Sequence, residues 1–212
     1  MPRVGEKSRY PRLPRDKKAE RPAAFSPGGR LLQIEYAREC PMGGPLALAM
    51  RTRGGVVLAK ARSAEPELGH RIPGIWNVSS RIAYVANGNL GDLYYLRDVL
   101  ADGRARSTSA IAKAIRRVLH EHAVRTDVRP LAIMLLLASV EGNRTEIRGF
   151  DVTGSEWECD AWALGEGDLL ARDQMIKEWR PEMRLDAAET LVRRIYGRRR
   201  FVSTFLRHRR GG

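Results

Sequence analysis

FSPGGRLLQIEYA, residues 25–37, is the stretch on which the fold turns. Ser26-Pro27-Gly28-Gly29 is turn chemistry, since proline fixes one dihedral and the glycines tolerate positive φ. After it, Leu31, Leu32, Ile34 and Ala37 share one helical face, while Arg30, Glu35 and Arg38 share the other. Pro41 is expected to stop this helix, because it lacks the backbone N–H that the next bond needs. Ahead of the turn, Pro2, Pro11, Pro14 and Pro22 rule out a long helix, and the composition is that of a disordered or polyproline-like tail.

Beyond Gly43-Gly44 the periodicity changes. Residues 46–51 and 56–61 read as a hairpin around Thr52-Arg53-Gly54-Gly55. Residues 75–78 and 82–86 form a second strand pair, followed by two helices over 90–101 and 107–124. Strands return at 131–140, 145–152 and 157–164, and two more helices cover 168–179 and 186–196. Strands, two helices, strands, two helices is neither an alternating βαβ pattern nor all-β. Two sheets between helix pairs satisfy it.

The net charge of +13 sits at the ends. Residues 1–22 hold Arg3, Lys7, Arg9, Arg12, Arg15, Lys17, Lys18 and Arg21 against three acids. Residues 193–212 hold Arg193, Arg194, Arg198, Arg199, Arg200, Arg207, Arg209 and Arg210 and no acid. The body between them is formally neutral, so these side chains are the expected contacts for a polyanionic partner, RNA among them. No run reaches the ~20 apolar residues of a membrane span, the start has no apolar signal core, and two cysteines are too few for a disulfide framework. The expectation is a cytoplasmic protein without membrane insertion.

Catalytic and metal patterns are weak. His120 and His122, two apart on a helix, point in nearly opposite directions. Gly165-Glu166-Gly167 lacks the rest of a phosphate loop. Cys159 sits in an aromatic strand with no partnered histidine. No catalytic residue, metal or cofactor is assigned.

The 25–37 stretch resembles the N-terminal signature of proteasome α-type subunits, matched at Phe25, Pro27, Gly29, Arg30, Leu31, Gln33, Glu35 and Tyr36. The similarity continues through GGVVLAKA (54–61), RIAYVANG (81–88) and GFDVTGSEWECDAWALGEG (149–167). It implies the α+β fold of the Ntn hydrolases: a four-layer αββα sandwich, two antiparallel sheets between helix pairs, with basic N- and C-terminal tails. The domain plan is then a basic Pro-rich tail (1–22), an α-subunit-like domain with a short N-terminal helix (23–196), and an Arg-rich C-terminal tail (197–212). The matched residues would contact neighbouring subunits.

Active members of that fold use an N-terminal threonine whose own amine is the base, with a lysine and an aspartate in support. The resemblance puts Pro45 where the threonine would stand, Ala61 in place of the aspartate, and Gly74 or Arg71 in place of the lysine. It therefore implies a non-catalytic, structural subunit. The family's Tyr-Asp-Arg gate is replaced by Lys18-Ala19-Glu20, and its outer docking lysine also falls at Gly74 or Arg71, although Glu35 and Gly88 remain. After the last helix only residues 201–206 can form a strand, which leaves one sheet a strand short. The expected partners are other proteasome-type subunits or a large ribonucleoprotein such as the ribosome, with RNA held through the tails.

Overall fold

The computed structural model describes residues 31–62, 73–103, 106–125, 127–142 and 144–208. In chain order these form α1 (Leu32–Met42), β1 (Ala47–Thr52), β2 (Gly55–Ala61), β3 (Ile75–Asn77), β4 (Ile82–Gly88), α2 (Leu90–Asp102), α3 (Thr108–Val124), β5 (Ile133–Glu141), β6 (Arg144–Phe150), β7 (Glu156–Glu158), β8 (Ala161–Leu164), α4 (Asp168–Glu178), α5 (Leu185–Tyr196) and β9 (Phe201–Arg207). One sheet has the order β8-β1-β2-β9 and the other β3-β4-β5-β6-β7. Every pairing is antiparallel.

Three apolar layers separate four structural layers, as the sandwich expectation requires. Leu48, Met50, Val57 and Ala59 face Ala171 and Met175 of α4 and Leu191 and Val192 of α5. Ala47, Ala49, Val56 and Leu58 meet Ala83, Val85, Leu136 and Ala138 of the second sheet. The far face of that sheet, through Tyr84, Leu135 and Leu137, packs on Leu93 and Leu96 of α2 and Ile111, Ile115 and Leu119 of α3. Both faces of the central strands are covered, which is why they read as continuous apolar runs rather than alternating ones.

The helix starts follow local chemistry. Asn89 caps α2 by accepting from the N–H groups of Gly91 and Asp92, and Ser107 caps α3 through Ala110. Asp92, in the first turn of α2, is 5% exposed. It accepts both Arg129 guanidinium nitrogens, at 2.8 and 2.6 Å, and the Ala132 N–H at 2.9 Å, which ties α2 to the start of β5.

Four sequence expectations change. The 157–164 strand is two strands, because the chain bends at Cys159-Asp160 and crosses from one sheet to the other. Pro41 does not stop α1. It lies in the last turn, where its missing N–H costs a single bond, and the helix ends at Met42 with Gly43 capping it. Strand 131–140 begins only at Ile133, since Leu131 and Ala132 lead in from α3. The globular body also runs past residue 196. β9 pairs with β2 along its whole length, from Ala61↔Phe201 to Gly55↔Arg207, so residues 201–207 of the segment read as a C-terminal tail are sheet. The shorter sheet has four strands against five, and β9 forms its edge.

Candidate functional site

The N-terminal end of β1 is reached by a short connector, Gly43 to Leu46, that descends from α1. The carbonyls of Gly44, Pro45 and Leu46 are all engaged. That of Gly44 accepts from the Glu166 N–H at 2.8 Å, and that of Pro45 from Asn87 Nδ2 at 2.9 Å. That of Leu46 accepts from the Ala61 N–H at 2.8 Å and the Tyr196 hydroxyl at 3.1 Å. Glycine is required on both sides of this connector. A Cβ on Gly44 would lie 2.8 Å from Asn87 Cγ, and one on Gly165 (φ +93°) would lie 2.6 Å from the Pro45 carbonyl oxygen. Pro45 is thus a half-buried residue whose carbonyl is held by Asn87, with a tertiary amide and no hydroxyl.

The neighbouring positions carry no acid or base. Ala61 points into the apolar layer under α4 and α5. At Gly74 a Cβ would sit 2.7 Å from Val202 Cγ2, so β9 takes up the space a side chain would need. Arg71 lies outside the described residues.

The sequence reading missed Lys60. It lies on the inter-sheet face of β2, in register with the buried Val56 and Leu58. Its ammonium donates to the Ala86 carbonyl at 2.5 Å, and burial pulls its pKa down to about 8. The available signal was a single lysine in the apolar run Gly55–Ala61, which period-2 alternation places on a buried face.

Of the signature residues, Phe25, Pro27, Gly29 and Arg30 lie outside the described residues. Leu31, Gln33 and Glu35 are half-buried, and Tyr36 is exposed. Ile34 and Ala37, between them, pack on Ala123, Ala132 and Val152. Arg38 pins the helix by reaching Asp151 at 3.0 Å and Glu35 at 3.4 Å.

The basic residues that can be placed, all near the C-terminal end, do not form one patch among the described residues. Arg3, Lys7, Arg9, Arg12, Arg15, Lys17, Lys18, Arg21, Arg209 and Arg210 lie outside the described residues. Arg193 pairs with Glu189 at 2.6 Å and Arg194 pairs with Glu178, so these two serve α5 and its contact with α4. Arg198, Arg199 and Arg200 are exposed at the turn before β9, and Arg207 is exposed at its far end, roughly 20 Å away for a strand of this length. His208 folds back, its ring nitrogens 2.8 Å from the Gly142 carbonyl oxygen and 3.1 Å from Thr145 Oγ1.

The remaining motifs disperse. His120 is exposed beside α1, whereas His122 packs on Tyr95, with ring centroids 5.5 Å apart. Burial pushes the Cys159 thiol up to about 12, the opposite of what a nucleophile needs.

A family model described as proteasome subunit matches residues 42–197. The chain is 31% identical to the proteasome subunit alpha of Methanocaldococcus jannaschii, over 76% of this chain and 66% of that protein. It is 31% identical to proteasome subunit alpha 2 of Haloarcula marismortui, over 66% and 62% respectively. To the proteasome subunit alpha of Methanopyrus kandleri it is again 31% identical, over 81% of this chain and 75% of that one. The chain spans just under two thirds of the length of the first two relatives.

Proposed function

The chain belongs to the proteasome subunit family, as an α-type member, and from that premise we propose that it is a non-catalytic structural subunit that assembles with other proteasome-type subunits. The start of β1 carries this reading. An N-terminal nucleophile needs a hydroxyl together with its own free amine. Pro45 offers neither, and Gly44, Asn87 and Gly165 fill the space around it. Lys60 brings an ammonium to the same end of the sandwich, but it is spent on a backbone carbonyl.

Assembly has two surfaces to draw on. One is the α1 segment with its matched residues Phe25, Pro27, Gly29, Arg30, Leu31, Gln33, Glu35 and Tyr36. The other is the outer face of α4, where Leu169, Leu170 and Ile176 are 68%, 76% and 78% exposed. Apolar side chains clustered this way on a subunit surface favour burial against a partner. The Arg198-Arg199-Arg200 corner, with the basic residues of 1–22 and Arg209 and Arg210, gives the ends a means of holding a polyanion in a cytoplasmic setting. A ribosome- or RNA-associated role has only that charge in its favour. Co-expression with β-type subunits tests the proposal: co-purification in one large particle supports it, and a chain that stays alone beside assembled β-type subunits contradicts it.

A further inference from the structure

β3 and β7 bound the five-stranded sheet, and β8 and β9 bound the four-stranded one. The first three of these edge strands are three or four residues long, whereas β9 runs for seven, with no proline and no break in its register against β2. The bonds just beyond its two ends fix the parity of the ladder. The Arg62 N–H donates to the Arg200 carbonyl at 2.8 Å, and the His208 N–H donates to the Gly54 carbonyl at 3.1 Å. Both are directly opposed pairs, and in an antiparallel ladder every second residue between them bonds the same way. Val202, Thr204 and Leu206 therefore spend their backbone groups on β2. Phe201, Ser203, Phe205 and Arg207 point theirs the other way, to the open edge.

Among the described residues, these outward N–H and carbonyl groups meet no backbone partner. Phe201 and Phe205 lie on the α5 side of the sheet and are only half-buried. A long, regular, partly apolar edge of this kind is a template for a further strand. The charge at its ends says what that strand carries. Arg198, Arg199 and Arg200 are exposed at one end and Arg207 at the other. Arg199 reaches the Glu166 carbonyl at 3.5 Å, and no carboxylate meets any of the four among the described residues. A second copy, in either direction, would lay arginine against arginine, which like-charge repulsion disfavours. The basic stretches at 1–22 and 209–210 have the same sign, and the prolines of the first cannot donate to a ladder.

We propose that the outer edge of β9 docks an extended segment of a partner protein as a fifth strand. The segment bonds through its backbone to Phe201, Ser203, Phe205 and Arg207, and acidic residues at its two ends meet the Arg198-Arg199-Arg200 corner and Arg207. The charge suits any polyanion, but only a polypeptide offers alternating N–H and C=O groups at strand spacing. Apolar side chains on the added strand cover Phe201 and Phe205. This surface is separate from α1 and from the outer face of α4, so it does not rest on assembly through them.

The test is amide hydrogen exchange of the ¹⁵N-labelled full chain, alone and with the end-capped peptide DETVTVTVDE. In the free chain the N–H groups of Val202, Thr204 and Leu206 should exchange slowly and those of Ser203 and Phe205 fast. Saturating peptide should slow Ser203 and Phe205 by about tenfold or more and leave the other three as they were. Ser203→Pro removes an outward N–H that β2 does not use, so the variant should fold and lose the peptide. Replacing Arg198, Arg199, Arg200 and Arg207 by Glu should weaken DETVTVTVDE by about tenfold or more and let KKTVTVTVKK bind in its place, a gain that lost folding cannot produce. Outward amides already protected in the free chain or in a dimer of it, no binding of the peptide, or binding that leaves Ser203 and Phe205 exchanging as before would each overturn the proposal. So would binding of oligouridylate without binding of the peptide.

Discussion

The Asn87 side-chain amide, at the end of β4, donates to the Pro45 carbonyl across 2.9 Å and so ties the second sheet to the start of the first. Lys60 makes a parallel tie from β2 to the Ala86 carbonyl of β4. These two polar links close the end of the sandwich where the active members of the fold, by resemblance, keep their nucleophile. That end works here as a structural joint.

Asn87 is 1% exposed, so deleting its amide leaves the Pro45 carbonyl buried without a donor. Asn87→Ala should cost about 1–3 kcal/mol in urea unfolding. Asn87→Asp should cost more, because it turns an acceptor toward an acceptor. A stability unchanged in both would mean that the link is not structural.

Lys60 makes stability depend on pH in a defined sense. Its folded pKa of about 8 lies below the ordinary lysine value of 10.5, so between those values the unfolded chain binds the proton that the folded chain does not. Stability from this group therefore rises with pH from about 8 to 10.5, and the full penalty applies below 8. Lys60→Met should raise stability near pH 7 by about 1–2 kcal/mol, after allowing for the lost bond to Ala86. The advantage should shrink by pH 10. A difference between the two proteins that stays constant with pH would contradict the assignment.

Ending the chain after Gly197 removes β9, uncovers the edge of β2, and breaks the stack of Phe201 on Tyr196, whose ring centroids are 4.6 Å apart. Cooperative unfolding should be lost. Ending it after His208 should leave stability within about 0.5 kcal/mol of the parent. The charge of Arg198, Arg199, Arg200 and Arg207 is therefore probed by substitution to Gln, which leaves the strand in place.

Much of this architecture is legible in the chain. The apolar spacing in α2 and α3 is strong because one helix face is buried and the other wet. The runs at β1, β2 and β5 are long because both strand faces are covered. The crossing between β7 and β8 is not legible, since Cys159-Asp160 carries no glycine or proline to mark the bend. β9 was legible as a possible strand, but its arginine-rich flanks outweighed the alternation within it, and its pairing with β2 is non-local. That Pro45 stands where a nucleophile would is implied by the family resemblance, not by any local pattern. Lys60 and the open edge of β9 depend on which strands and faces meet across the fold, and no local pattern states that.

If α4 supplies a subunit contact, the doubly substituted Leu170→Glu, Ile176→Glu chain should fold normally and fail to assemble. Both residues are more than 70% exposed, so the folded monomer loses little. Circular dichroism and native mass measurement separate the two effects. Normal assembly of this variant would place the contact elsewhere.

The most direct measurement is native mass determination of the chain co-expressed with β-type subunits, with peptide hydrolysis assayed on each species. The account predicts that the chain enters a particle far heavier than its own 23.8 kDa. It also predicts that the purified chain alone hydrolyses nothing. A chain that remains monomeric beside assembled β-type subunits, or that cleaves peptides unaided, would contradict it.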